Sequence, residues 1–152
     1  VDFIQPARLG CTYIAEDGQE HVPVVLHRAV TGTTERFLGV IIEHFAGAFP
    51  VWLSPVQAVI IPIADRHVEY CRKAQEQLLA AGLRVELDER PDRMNAKIRD
   101  AQKQKVPYML VVGDQEQENG QVALRLRSGE NPGPMALDAF IAYARKDTQE
   151  GN

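Results

Sequence analysis

The chain has 152 residues, of which 45% are hydrophobic and 25% are charged, so it can bury a core of ordinary size. Its apolar runs fall far short of the roughly 20 residues that a membrane-spanning helix needs, and no signal peptide pattern opens the chain. The formal net charge of −4 excludes nucleic-acid binding through bulk positive charge, because neutralising phosphates without base contacts needs a basic surface. Any RNA partner therefore has to be recognised by a few local contacts.

The two cysteines, Cys11 and Cys71, are far apart and form neither a C-x-x-C pair nor a disulfide framework. This usage favours packed or partly exposed thiols rather than nucleophiles, and a reducing, cytoplasmic setting. The chain begins at Val1 without an initiator methionine, inside what reads as a strand. We therefore expect it to be a piece of a longer protein.

An antiparallel hairpin followed by a helix is predicted for the first part of the chain. The two strands, Thr12–Ile14 and Val22–Leu26, are joined by a turn over residues 16–18. Apolar residues at helical spacing predict an amphipathic helix over Glu35–Phe45, which one of the two preceding threonines caps and Gly47 ends.

After Pro55 the pattern changes to strands that alternate with helices. Asp65 is expected to cap the first of these helices, Gly120 to lie in a turn, and Lys146–Asn152 to form a disordered tail. The predicted strands are Ala58–Ile63, Leu83–Leu87, Tyr108–Val112 and Val122–Leu126. Three helices are predicted: the first follows Asp65 and ends near Ala81, the second covers Met94–Gln104, and the third covers Leu137–Ala144. Two successive strand-helix-strand units imply an α/β fold with a mainly parallel, mixed sheet and helices on both faces.

The segment from His27 to Gln57, HRAVTGTTERFLGVIIEHFAGAFPVWLSPVQ, carries the chemical signal. The sequence predicts a strand that leads into His27 and Arg28, a tight turn at Gly32, and then a helix with Arg36 in its first turn. This arrangement places an exposed cation beside free backbone N–H groups, which suits a polyanion such as ATP. On spacing alone the commoner alternative is a solvated Arg36 that pairs with Glu35 or with a distant carboxylate.

This segment resembles motif 3 of class II aminoacyl-tRNA synthetases, in the form found in threonyl-tRNA synthetases. The shared pattern is His-Arg-Ala, then Gly-Ser/Thr-x-Glu-Arg-Phe, then a helix that ends in Phe-Pro-x-Trp-Leu. The matching residues are His27, Arg28, Ala29, Gly32, Thr33, Glu35, Arg36, Phe37, Phe49, Pro50, Trp52 and Leu53. VPYMLVVGDQE, residues 106–116, resembles a later segment of the same family, so the resemblance covers essentially the whole chain.

The resemblance implies two parts with different roles. Residues 1–53 correspond to the end of a class II catalytic domain, with the hairpin and first helix, and residues 54–152 to an anticodon-binding domain. The family activates threonine with ATP and magnesium and transfers it to tRNA(Thr), and the parent is expected to be a homodimer. Motifs 1 and 2 are absent from these 152 residues, so we expect no adenylate formation and no tight cofactor binding by the chain alone.

The resemblance assigns roles in the catalytic part to four residues. Arg36 would pack against the adenine of ATP near its terminal phosphate, beside Gly32 and Thr33. Thr33 stands where many relatives have serine, and the hydroxyl is retained. His27 matches the last ligand of a catalytic zinc, which holds the amino group and hydroxyl of threonine and so rejects valine. The other two zinc ligands are expected upstream of this chain; without the resemblance, a lone histidine in a strand is more often a hydrogen-bonded core residue.

In the second part the resemblance implies that Glu116 and Arg125 contact the edges of anticodon bases, and Arg99 is a further candidate for a base or phosphate contact. Single-stranded loops are recognised by splaying out, stacking and hydrogen-bonding their bases, which needs few side chains. A carboxylate accepts from guanine N–H groups and an arginine donates to base acceptors, which suits the guanine and uracil of threonine anticodons. Each residue could instead be a solvated surface charge.

Other interpretations stay open at this point. The α/β domain also resembles those of the glycyl, histidyl and prolyl synthetases and of synthetase-like accessory proteins without catalysis. A domain that binds a small molecule would need a glycine-rich loop after its first strand, and residues 62–66 offer none. The expected partner is the anticodon loop of tRNA(Thr), and neither DNA nor a membrane.

Overall fold

A computed structural model describes residues 1–150 of the chain, with side chains up to Thr148. The chain divides into two compact units, Val1–Ile41 and Ile42–Asn152. Within the described part, no helix has the length and apolar character that crossing a bilayer requires. The functional boundary between residues 53 and 54 stays a prediction.

The first unit contains the predicted antiparallel hairpin. Its elements are α1 (Gln5–Arg8), β1 (Tyr13–Ile14), β2 (Glu20–His21) and the beginning of α2 (Thr34–Phe45). The hairpin is confirmed, with Tyr13 opposite His21, but the strand expected over Val22–Leu26 is wrong. Pro23 has no N–H with which to continue the ladder, and Val25 instead forms an isolated bridge with Asp2.

The ends of α2 follow the sequence signals. The hydroxyl of Thr33 accepts a hydrogen bond from the backbone N–H of Arg36 at 3.4 Å, so Thr33 is the capping residue. At the other end Gly47 has a φ of 78°, and its N–H donates to the carbonyl of Ile42 at 3.1 Å. This left-handed glycine closes the helix as predicted.

A five-stranded mixed sheet forms the centre of the second unit, in the order β4-β3-β5-β6-β7. Strand β3 is parallel to β4 and β5, whereas β6 and β7 continue the sheet in antiparallel pairing. The elements are β3 (Ala58–Pro62), α3 (Val68–Ala80), β4 (Val85–Leu87), α4 (Met94–Lys103), β5 (Tyr108–Val112), α5 (Asp114–Asn119), β6 (Gln121–Leu126), β7 (Gly133–Ala136) and α6 (Leu137–Glu150). The predicted α/β fold with a mixed sheet is confirmed.

Helices cover both faces of this sheet, which explains the continuous apolar runs of its central strands. On one face Ile60 of β3 packs with Leu78 of α3 and Phe140 of α6. On the other face Ile61, the next residue of the same strand, packs with Ile98 of α4. The chain therefore winds first to one side of β3 and then to the other.

Three elements were not predicted from the sequence. Helix α1 follows the start of the chain, where a strand was expected. Helix α5 consists of DQEQEN and has no apolar residue from which a helical period could be read; Gly120, placed in a turn, ends this helix at a φ of 65°. Strand β7 contains Pro134, which an edge strand tolerates because one of its sides has no partner.

Two helix ends also differ from the prediction. Asp65 does not cap α3: it opens a 3₁₀ turn over Asp65–His67, and α3 begins at Val68. Helix α6 continues to Glu150, where a disordered tail from Lys146 was expected, and the hydroxyl of Tyr108 donates to Asp147 in this last part. The last two residues of the expected tail lie outside the described residues.

Side chains of the sheet region hold the segment that leads into β3. Arg84 donates hydrogen bonds to the carbonyls of Trp52 and Ser54, both at 2.8 Å. Arg127, just beyond β6, donates to the carbonyl of Phe49 at 2.5 Å. Because these carbonyls are paired by fixed donors rather than by solvent, the segment is an ordered part of the second unit.

Candidate nucleic-acid interface

The carboxyl ends of β3 and β5 lie side by side at one edge of the sheet. The chain leaves β3 towards β4 on one side and returns to β5 on the other, which makes this the switch point of the sheet. The 3₁₀ turn Asp65–His67 follows β3, and α5 follows β5. Open α/β sheets bind ligands at such points, so the polar residues of these two segments are candidates for contacts.

Glu116 lies on α5 and is half-buried. Its Oε2 accepts a hydrogen bond from the backbone N–H of Gly113 at 3.0 Å, which fixes the carboxylate above the end of β5. An ionised carboxylate can accept through both oxygens, so Oε1 keeps its capacity to accept from a ligand. This geometry fits the predicted contact with the N–H donors of a base.

Neighbouring side chains leave little room for a Cβ at Gly113. Its backbone angles suit any residue, but a Cβ here would lie 2.8 Å from Cδ1 of Ile63 and 3.1 Å from Oε2 of Glu116. The close approach of Ile63 therefore helps to set where the carboxylate of Glu116 lies.

Arg125 lies in β6, directly opposite Met109 of β5. Met109 packs in the core under α4, so Arg125 faces the same side of the sheet as α4. The residue is half-buried, and among the described residues its guanidinium has no hydrogen bond or ion pair. Its five N–H donors remain for an external acceptor.

The surface between these two side chains is open and shallow. Val122 and Leu124 of β6 face the core beneath α6, so the alternating residues face the other side, where α4 reaches only the margin at Ala123. The surface residues that accompany Arg125 on this side are Gln121, Ala123, Pro134 and Ala136.

Arg125 and Glu116 are separated along the direction of β5. Arg125 is level with Met109, and Gly113, which holds the carboxylate of Glu116, comes four residues later and directly after β5, about 13 Å away at the usual rise of a strand. We call the surface of Gln121, Ala123, Pro134 and Ala136 the open strip. At this separation, Glu116 and Arg125 would each contact a different nucleotide.

Arg99 lies on the exposed side of α4, the helix that shares a sheet face with Arg125. Its Nε is 3.8 Å from Oδ1 of Asp100, a half-buried carboxylate that also pairs with Arg90, while the guanidinium of Arg99 itself is exposed. Such a partly exposed pair contributes little and does not commit the guanidinium, which fits a contact with phosphate as well as with a base.

The residues predicted for ATP in the first unit have the expected local geometry. Gly32 has a φ of 74°, a conformation that glycine adopts easily, where the chain bends before α2. Thr33 follows it as the cap of α2, and Arg36 lies exposed in the first turn of that helix. An exposed cation beside a helix start is consistent with a phosphate contact.

His27 is exposed and is not the hydrogen-bonded core residue that a lone histidine in a strand usually is. Within residues 1–150, no group of three or more histidine, cysteine, aspartate or glutamate side chains is arranged to hold a metal ion. The described residues alone therefore do not make a zinc site around His27, which can supply one imidazole ligand.

Most of the exposed large apolar side chains precede residue 43. Helix α2 buries none of its residues, and Pro6 is the residue of the first unit that is fully buried. The exposed apolar residues here are Val1, Phe3, Ile4, Leu9, Tyr13, Ile14, Val22, Val24, Val25, Leu26, Val30, Phe37, Leu38, Val40 and Ile42. Apolar exposure on this scale is typical of an interaction surface.

The sequence prediction missed a group of polar contacts at the switch point. His67 is buried, and its Nδ1 lies 2.9 Å from Oε1 of Gln117. Arg66 makes two hydrogen bonds to the carboxylate of Asp114, at 2.8 and 2.6 Å. No local pattern could indicate pairs that are about 50 positions apart.

Comparison with known proteins identifies the class of this fold. The model of the family described as "Anticodon binding domain" matches residues 57–147, which is more than half of the chain. The chain belongs to this family.

Individual relatives narrow the comparison to one kind of synthetase. The threonine–tRNA ligase of Rubrobacter xylanophilus is 60% identical over 146 residues, which cover 95% of this chain and 23% of that protein. The threonine–tRNA ligase of Thermus thermophilus is 52% identical over 150 residues, with 99% and 23% covered. The crystal structure of the RNA binding domain of threonyl-tRNA synthetase from Cryptosporidium parvum has a TM-score of 0.83 at 35% identity, covering 95% of this chain and 37% of that one. The resemblance to threonyl-tRNA synthetases is confirmed, and the chain spans 23% of the length of these curated relatives.

Proposed function

We propose that this chain reads the anticodon of tRNA(Thr) as part of a threonine–tRNA ligase. The observation that carries the proposal is the open strip between Glu116 and Arg125, with an uncommitted acceptor at one end and unpaired donors at the other. It lies on a domain that belongs to the anticodon binding family. A site made of a few directional groups agrees with a net charge of −4, which gives no general affinity for phosphate.

Recognition at this strip would use base edges and base faces together. Arg125 donates to carbonyl or ring-nitrogen acceptors of one base, and Glu116 accepts from the N–H groups of another. The small apolar side chains of Ala123 and Pro134 between them let splayed bases lie flat against the sheet. Arg99 contributes a contact with the backbone or a base from α4.

The first unit would complete the catalytic site of the parent enzyme. Arg36, with Gly32 and Thr33 beside it, would contact the adenine and terminal phosphate of magnesium-bound ATP, and His27 would be one of three ligands of the zinc that selects threonine. Two observations support this: the exposed cation at the start of α2, and the unburied apolar surface of the unit. The zinc and most of the ATP site would need residues outside this chain, so the chain alone would not activate threonine.

The parent enzyme would charge its tRNA in the cytoplasm and act as a homodimer, as the family resemblance implies. The identity of 50% to 60% with threonine–tRNA ligases across nearly the whole chain supports the ligase assignment from which both expectations follow. That identity also extends before residue 57, into the part that a separate anticodon-binding accessory protein would not need.

A binding titration tests the proposal. The chain is titrated with the anticodon stem-loop of tRNA(Thr) and with two stem-loops that differ at the second or third anticodon base, at one fixed salt concentration. We expect preference for the threonine stem-loop, because each changed base loses a directional contact. Equal affinity for all three loops would contradict anticodon reading by this domain and would favour a non-catalytic RNA-binding role.

A further inference from the structure

Helix α5, which carries Glu116, has no apolar anchor. Its six residues are all polar, and none of them is buried. A helix of this length is not stable by itself, because forming the first turn costs more than one hydrogen bond returns. Its position therefore depends on bonds that its side chains make with the rest of the domain.

Two residues of the 3₁₀ turn after β3 supply these bonds. Arg66 donates from Nε to Oδ1 of Asp114 at 2.8 Å and from Nη2 to Oδ2 at 2.6 Å. His67 is joined through Nδ1 to Oε1 of Gln117 at 2.9 Å, and its Nε2 lies 3.5 Å from Oδ1 of Asp114. Asp114 and Gln117 are three positions apart and lie on one side of the helix. The 3₁₀ turn after β3 therefore binds α5 at two positions, one helical turn apart.

The two bonds differ in what they contribute. Arg66 and Asp114 are both largely exposed, so their attraction adds little to stability, but the paired N–H groups of the guanidinium fix the direction of the carboxylate. The same contact holds the pKa of Asp114 below its usual value, so this carboxylate stays charged at neutral pH. His67 is buried, and its contact with Gln117 keeps a buried ring nitrogen paired.

Glu116 lies between the two gripped positions. Its Oε2 accepts the hydrogen bond from the backbone N–H of Gly113. The direction of the free Oε1 therefore depends on how the helix is oriented. Because Gly113 caps the same helix, a rotation of α5 about its axis would carry this carboxylate with it and change the direction of Oε1.

We propose that Arg66 and His67 are positioning residues for anticodon reading, which hold α5 through Asp114 and Gln117 so that Glu116 presents its free oxygen to a base. This inference rests on the function proposed above. By this inference, four residues contribute to the specificity of the site without having to touch RNA.

The test compares stem-loop preference, defined as the ratio of affinities for the threonine stem-loop and for the loop altered at the base that Glu116 reads. To identify that base, the ratio is first measured for Glu116→Gln with each altered stem-loop in turn, and the base whose ratio falls is taken as the one that Glu116 reads. Arg66→Ala and Gln117→Ala each remove one of these contacts at an exposed residue. Arg66→Ala leaves the core intact, whereas Gln117→Ala also leaves the buried Nδ1 of His67 unpaired, so its stability is measured together with its ratio. We expect each to lower the ratio, by up to about tenfold, the lower part of the range for a lost base contact. Arg66→Lys keeps the charge but not the paired donors, and is expected to fall between Arg66→Ala and the unchanged chain.

Two further variants separate positioning from simple loss of charge or fold. In the Glu116→Gln background, Arg66→Ala should cause no further fall in the ratio, because its effect passes through Glu116. The exchange Arg66→Asp with Asp114→Arg should restore part of the ratio that Arg66→Asp alone removes. Loss of a phosphate contact would instead weaken all loops equally and leave the ratio unchanged.

The outcomes distinguish this inference from the proposed function. If Glu116→Gln lowers the ratio but Arg66→Ala and Gln117→Ala do not, the positioning role is wrong and anticodon reading stands. An unchanged ratio for Glu116→Gln overturns both the positioning role and the role of Glu116. Additive effects of Arg66→Ala and Glu116→Gln also overturn the inference, since Arg66 would then act independently.

Discussion

Arg125 is paired in register with Met109 across the antiparallel strands β5 and β6. Met109 is buried under α4, and this pairing turns the guanidinium towards the open margin of that face. A shift of one residue would move every side chain of β6 to the opposite face and would bury Arg125 beneath α6. The availability of Arg125 for RNA is therefore a consequence of strand register.

Arg125→Ala is expected to weaken binding of the threonine anticodon stem-loop by roughly 1–3 kcal/mol, the scale of a lost specific base contact. Isothermal titration at fixed salt measures the change. Arg72→Ala is the matched control, since it removes the same charge from α3 on the other face of the sheet. Equal losses for the two variants would show that Arg125 acts only through its charge.

Gly113→Ala is expected to change stability little and to lower stem-loop preference. The new Cβ would lie close to Cδ1 of Ile63 and Oε2 of Glu116, which are the free ends of side chains that can move aside, and this movement would redirect the carboxylate. Urea denaturation measures the first effect, and the stem-loop titration the second. Gly39→Ala, inside α2 with open space around it, should be neutral or stabilising. A Gly113→Ala protein as selective as the original would refute the close approach.

The two cysteines are expected to differ sharply in reactivity. Cys71 is buried, and burial raises the pKa of its thiol to about 12, whereas Cys11 is exposed. Because the thiolate is the reactive form, a thiol reagent at pH 8 should modify one cysteine in the folded protein and both after denaturation. Cys11→Ser should abolish the rapid reaction. Rapid modification of two thiols in the folded chain would contradict the packing of α3 against the sheet.

Stability is expected to fall as the solution becomes acidic. The hydrogen bonds from Arg90 hold the pKa of Asp88 below its usual value, and Arg66 does the same for Asp114. A carboxyl group whose pKa is lower in the folded state contributes stability above its unfolded pKa and loses it as pH falls through the folded pKa. Urea unfolding should therefore be easier below about pH 5 than at pH 7.

Asp88→Asn provides the check on this pH dependence. Replacing the carboxylate removes one group that must be protonated during acid unfolding, so the difference in stability between neutral and acidic solution should become smaller. The control is Asp138→Asn, at an exposed position of α6. A pH dependence unchanged by Asp88→Asn but reduced by the control would contradict the assigned pairing with Arg90.

Several features of this protein were determined by the sequence alone, because their signals are local. The apolar runs at Ala58 and Tyr108 predicted the central strands, and the helical spacing after Thr33 predicted α2. The motif between His27 and Trp52 predicted the family, which the relatives confirm. Each of these signals can be read within a short stretch of chain, since burial of a strand or one face of a helix imposes its period directly on the residues.

Only the tertiary structure decided how the open strip is built. Helix α5 has no apolar residues at helical spacing, and β7 contains a proline, which a strand tolerates at the edge of a sheet. The pairing of His67 with Gln117 joins residues 50 positions apart, and the exposure of Arg125 depends on the register of β6 against β5. These features arise when distant segments meet, and the polar groups that meet there leave no periodic pattern in the sequence.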